Sequence, residues 1–149
     1  MRKWIVNLAV VSALGCAPVV VVPVTPPEAM EQWAQLHPAG AQALGVWVRN
    51  HPGAASWLFD WDGAHSEGTH ELISWAIYHP GAGVPIFVST HPGWSVFDQF
   101  AMAHQPAVWA FFMWARQFPG DAQRLADHPR GLWWAGHHLY AADAQMLGQ

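Results

Sequence analysis

Four tryptophans, Trp33, Trp47, Trp61 and Trp75, stand fourteen residues apart, and Met30, Leu44, Leu58 and Leu72 precede them by three positions each. Ile86 continues the aliphatic column, with Ser89 in the tryptophan slot, and His37, His51, His65 and His79 keep the same period. Three columns in register define an internal repeat. The period then loosens. His91, His104, Phe118 and His128 follow at intervals of 12, 13, 14 and 10, while Phe111 and Trp114 still occupy the aliphatic and tryptophan columns of the unit that begins at His104.

A period of fourteen is also two heptads, which one long coiled-coil helix would satisfy. The prolines exclude that solution. Pro38, Pro52, Pro80, Pro92 and Pro129 each follow a histidine, and Pro119 follows Phe118. In a helix interior each would cost about 3 kcal/mol. At the first helical position the missing N–H is no loss, and proline drives the residue before it out of the helical region. The pattern therefore predicts a new helix at each of these points: histidine at the N-cap, nine or ten helical residues, then a short turn. Helices this short are marginal alone and must pack on one another. The expected fold is all-α, a tandem array of short helices.

Within each unit the residues seven and ten places after histidine share one face and form the inward stripe. The small residues four places after histidine (Ala41, Ala55, Thr69, Gly83, Ser95) lie one turn earlier on that face, where a neighbouring helix can come close. Thr25-Pro26-Pro27-Glu28 opens the first helix with capping-box spacing. Gly81-Ala82-Gly83 and Pro85 spoil the fourth unit as a helix, so Val84 to Thr90 is expected to be extended. Pro106 to Ala115, apolar throughout and too short to span a bilayer, is expected to be the most buried helix.

Composition narrows the function. The 149 residues suffice for one domain with a single modest core. Cys16 is the sole cysteine, so no intramolecular disulfide can form. Eleven Trp and seven Phe supply the packing instead, each able to bury roughly 150 to 250 Å². Beyond Cys16 there are four Arg, no Lys and ten acidic residues, an excess of six negative charges with His neutral. That balance argues against nucleic acid and anionic lipid surfaces as partners.

Residues 1–15 have the three parts of a secretory signal: Met1-Arg2-Lys3, an apolar stretch from Trp4 to Leu14, then small residues. The end of this segment, Ala13-Leu14-Gly15-Cys16, resembles the lipobox of bacterial lipoproteins, with Ala13 where Leu is usual. The resemblance is confined to the signal. It implies cleavage before Cys16, a diacylglycerol thioether on its sulfur, and a protein anchored to a bacterial membrane and facing the periplasm or exterior. Ala13 and Gly15 also meet the small-residue requirement of ordinary signal peptidase. Residues 16–25, rich in Val and Pro, read as an extended tether, and residues 26–149 as the helical-repeat domain.

The densest polar cluster, Asp60, Asp62, His65, Glu67, His70 and Glu71, offers oxygen and imidazole ligands suited to zinc or another divalent ion. It completes no known motif. Ser74 stands where HExxH needs its second His, and in a calcium loop His65 would occupy the position of the turn glycine. The bland alternative is a solvated turn with Glu67 and Glu71 near a helix N-terminus. The histidine column reads as helix capping, no serine has a GxSxG context, and no CxxCH haem attachment is present. Trp57, Trp133 and Trp134 are candidates for stacking on a sugar, although core is the commoner role for Trp. Together these features describe an envelope-anchored binding or scaffolding module with no cofactor, its partner an envelope protein or glycan. The two alternatives are a metal-dependent enzyme or metal-binding protein at 60–71 and a carbohydrate-binding module.

Overall fold

Proline occupies one of the first two positions in six of the nine α-helices among the described residues, whereas Pro80 and Pro129, expected to open helices, lie in turns and start none. The computed structural model describes residues 26–91 and 93–143; the signal, Cys16 and the tether lie outside the described residues. In chain order the helices are α1 (Pro26–Leu36), α2 (Pro38–Asn50), α3 (Pro52–Ala64), α4 (Ser66–Tyr78), α5 (Val84–Thr90), α6 (Ser95–Ala103), α7 (Gln105–Gln117), α8 (Pro119–Asp127) and α9 (Gly131–Trp134). The last runs on into a wider π-helical turn, Ala135–Tyr140. The fold is all-α, and no strand occurs among the described residues.

The joints between helices are tighter than the sequence suggests. α2, α3 and α4 each span 13 residues, and one residue separates each from the helix before it. His37, His51 and His65 have φ between −127 and −138° and ψ between 54 and 56°. His79, His91 and Phe118 adopt nearly the same conformation, and His104 is close to it. The N–H of each joint residue bonds the carbonyl four residues back, as in His37 to Trp33 at 2.8 Å. The carbonyl of His37 in turn accepts from Ala41 N–H, so this residue closes one helix and opens the next.

The histidine side chains do not cap the helices that follow them. None makes a side-chain hydrogen bond to a first-turn N–H. The rings turn back onto the aromatic residue four positions earlier, with centroids 5.4 Å apart for Trp61 and His65, 4.8 Å for Trp75 and His79, and 4.2 Å for Phe87 and His91. In His79 and His91, Nδ1–H donates to the carbonyl of that same aromatic residue, at 2.9 and 3.0 Å. Each of these carbonyls already accepts the backbone N–H of the same histidine, so the imidazole adds a second donor in the last helical turn. His37, His51, His65 and His104 thus hold the expected N-cap position through their backbone, while the histidine side chains serve the preceding helix rather than the next.

The stripe packs as the periodicity predicts through four units. Met30, Leu44, Leu58 and Leu72 are buried, as are Trp33, Trp47 and Trp75, with Trp61 half-buried. Fully burying a side chain of this size contributes roughly 1.5 to 3 kcal/mol. The indoles also tie distant helices together. Nε1–H of Trp33 donates to the carbonyl of Asp121, that of Trp47 to Ala107 and that of Trp114 to Gly40.

In the next unit the expectation fails in two ways. Val84 to Thr90 is helical, because Pro85 falls in the first turn, where its missing N–H is harmless. The glycine run forms a loop before it, which Gly81 turns at φ +90°. That longer joint shifts the register by one residue, so Phe87 is buried and Ile86 is 51% exposed. Of the small column, Ala55 and Thr69 are buried as expected, whereas Ser95 is exposed.

α7 lies against α2, α4, α5, α6 and α8, while α9 rests on α3. Ala107, Val108, Phe111, Phe112, Trp114 and Ala115 are buried between these neighbours. Burial of α7 is one-sided, however, since Trp109 and Met113 face outward. Among the described residues no helix is long and apolar enough to cross a membrane.

Candidate functional site

The joint between α3 and α4 and the start of α6 enclose a cleft of about 670 Å³. Its apolar wall is Trp61, Trp94 and Phe97, which pack directly on one another. Trp61 lies 4.8 Å from Phe97 and 5.6 Å from Trp94, centroid to centroid, and Trp94 meets Phe97 edge-on at 5.8 Å. Two local features place these rings. A side chain at Gly68 would come within 2.7 Å of the Trp61 ring, so glycine there lets α4 begin directly over the indole. Gly93, at φ +110°, turns the chain so that Trp94 heads α6.

The polar side of the cleft carries Glu67 and Glu71, one turn apart on α4 and both exposed. Glu71 pairs at 3.4 Å with His91, the residue that closes α5. Among the described residues neither Arg nor Lys lines the cleft.

The six candidate metal ligands do not converge. Asp60 reaches His137 at 3.4 Å, His70 reaches Asp127 at 3.4 Å, and His65 stacks on Trp61. Only Glu67, Glu71 and His65 share the cleft. Among the described residues no group of three or more His, Cys, Asp or Glu side chains is arranged to hold a metal ion. Consecutive helical residues point about 100° apart, and a cluster that is dense in sequence fans out accordingly.

Asp62 has a structural role instead. Its carboxylate is buried and accepts the N–H of Trp133 at 2.9 Å, fastening α9 to the end of α3. Burial pushes its carboxyl above the ordinary aspartate range. The Thr69 hydroxyl, the N–H groups of Trp133 and Leu132, and the charge of Arg130 pull it the other way. A folded-state value above the unfolded one means the folded chain binds the proton more tightly. Asp62 therefore stabilises the fold most below the ordinary aspartate pKa, and this contribution is lost as pH rises through the folded-state value. Asp62→Asn keeps an acceptor for Trp133 and should remove that part of the pH dependence, read as the difference between the two proteins' urea midpoints across pH. Asp62→Ala strands the Trp133 N–H and should cost about 1 to 3 kcal/mol.

The three stacking candidates are half-buried. Trp57 is covered by Phe100, nearly parallel at 3.8 Å. Trp133 and Trp134 stand at 88° to each other, and Arg130 lies over Trp133 at 4.1 Å. Trp133 and Trp134, at right angles, form no flat platform, whereas Trp57 and Trp61 run nearly parallel, 13° apart with centroids at 6.3 Å. The cleft aromatic that sequence reasoning missed is Trp94, whose one available signal was that it stands outside the fourteen-residue columns.

No family model, curated protein or solved structure matches the chain.

Proposed function

We propose that this protein is an exported, lipid-anchored binding module of the bacterial cell envelope, and that its ligand occupies the cleft beside Trp61 and Trp94. Anchoring rests on Ala13-Leu14-Gly15-Cys16 and on the Val- and Pro-rich stretch that would carry the domain away from the membrane. Mass spectrometry of the mature chain tests it: a diacylglycerol-modified N-terminal Cys16 is expected, and an unmodified thiol would reduce the claim to export.

The observation that carries the binding role is the make-up of the cleft. An apolar wall with a few convergent polar groups is the usual composition of a small-ligand site. Here three aromatic rings and two carboxylates line about 670 Å³. The rigid repeat supports the wall, since Trp61 belongs to the same column as the core residues Trp47 and Trp75.

The test is a thermal-shift panel on the full chain in detergent, using envelope glycans, peptides, lipid headgroups and divalent metal ions. Ser95→Trp, at an exposed position on the cleft rim, serves as the blocked control. At least one organic constituent should raise the melting temperature of the parent and not that of the variant. Equal responses in both proteins, or a response to metal ions alone, would overturn the assignment.

A further inference from the structure

Granting that the cleft is a binding site, its chemistry also names a ligand class. We propose that it takes an organic cation, an alkylammonium group packed on Trp61 and Trp94 with its charge toward Glu67 and Glu71.

Three features of the molecule lead there. Aromatic faces attract a cation through the ring quadrupole, and Trp does so best. The wall supplies two indoles in mutual contact, Trp94 and Trp61, backed by Phe97, with His65 stacked on one part of Trp61 and itself lining the cleft. The same cleft is lined by two carboxylates one helical turn apart, Glu67 and Glu71. Glu71 is paired with a histidine rather than with a permanent cation, and among the described residues no ion pair engages Glu67. Finally, none of the four arginines of the domain lines the cleft: Arg116 binds backbone carbonyls at the end of α4, Arg130 covers Trp133, and Arg49 borders a separate groove. The cleft is therefore a concentration of negative charge on an apolar wall.

One feature opposes a cation. The first turns of α4 and α6 border the cleft, and free N–H groups at helix starts favour anions. Each of those turns already contains its own acid, Glu67 in α4 and Asp98 in α6, which offsets the positive end. Glu71, one turn further along α4, then leaves the cleft with an excess of negative charge.

Calorimetric titration of the full detergent-solubilised chain separates these possibilities. The probes are choline, its neutral isostere 3,3-dimethyl-1-butanol, Nα-acetyl-lysinamide and inorganic phosphate. Choline or Nα-acetyl-lysinamide should bind saturably and the isostere at least tenfold more weakly. Whichever cation binds more tightly tells a quaternary headgroup from a peptide side chain. In the double variant Glu67→Gln/Glu71→Gln, both exposed and so compatible with an unchanged circular dichroism spectrum, cation affinity should fall at least tenfold and that of the isostere should not. Binding of isostere and choline with equal affinity, an unaffected double variant, saturation by phosphate alone, or no saturation by either cation would each overturn the proposal. Any of these results alongside a positive constituent panel removes the cation and leaves the binding module. A negative panel removes the module itself.

Discussion

Phe111→Ala should destabilise the domain by about 3 to 5 kcal/mol, the usual cost of deleting a buried aromatic ring. Phe111 has no exposed surface and packs 5.1 Å from Trp47 and 5.3 Å from Trp114, centroid to centroid. It stands in the aliphatic column of the repeat, on the helix against which α2, α4 and α8 pack. These neighbours are bulky rings held by indole hydrogen bonds to backbone carbonyls, so they cannot readily collapse into the space left behind. The whole stability of a domain this size is about 5 to 15 kcal/mol. Urea unfolding should therefore show the midpoint falling by a large fraction with little change in slope. A loss below about 1 kcal/mol, well under the range for such deletions, would mean that α7 is not the centre of the core.

Arg116→Ala should cost about 3 kcal/mol, through a different mechanism. The guanidinium donates to three backbone carbonyls, Ala76 at 2.7 Å and His79 and Ala82 at 2.9 Å, and so finishes α4 and ties down the loop that follows. It also lies 5.1 Å from the Trp109 ring and 5.7 Å from that of Phe112. Hydrogen bonds to a charged group contribute about 1.5 to 3 kcal/mol each, and the three here act as one unit, so their sum overstates the effect. Arg116→Lys keeps the charge and loses the fork that reaches several carbonyls at once, so it should recover less than half of the loss. Hydrogen exchange gives the local signature: amides of the Gly81 loop and of α5 should lose protection before those of α2. Uniform loss of protection would contradict this role.

The sequence carries the fold well where one physical cause acts alone. Proline can start a helix and cannot continue one, so the boundaries at Pro38, Pro52 and Pro119 follow from local chemistry, while Pro80 and Pro129 end up in turns. The burial of Leu44, Leu58 and Leu72 follows from their period. The role of histidine was harder to see because its spacing can be read in two directions. Ten residues forward from His51 lies Trp61, and four residues back lies Trp47, the ring that His51 faces at 6.1 Å. Only the shorter spacing brings the two side chains onto one helical face. Ile86 and Phe87 exchange roles because the loop at Gly81 lengthens one joint, and a fixed period cannot anticipate that shift.

The candidate site was less legible, since it is made by residues far apart in the chain. Glu67 and Glu71 belong to a conspicuous local cluster, yet the aromatic wall of their cleft comes from Trp61 and from Trp94, 33 positions later. Asp62, from the same cluster, turns inward to hold Trp133, and Asp60 turns outward to His137. Local density suggested one shared metal site, and helical geometry distributed its members among separate tasks.

The indole N–H resonances of the tryptophans test the central claim, that ligand binds beside Trp61 and Trp94, most directly. Trp33, Trp47 and Trp114 donate to backbone carbonyls within the core and serve as internal references. On titration with the constituent that raises the melting temperature, the resonances of Trp61 and Trp94 should move progressively to saturation while those three stay in place. Saturable shifts at Trp109, or at Trp133 and Trp134, with Trp61 and Trp94 unmoved, would contradict the account and put the binding surface elsewhere on the molecule.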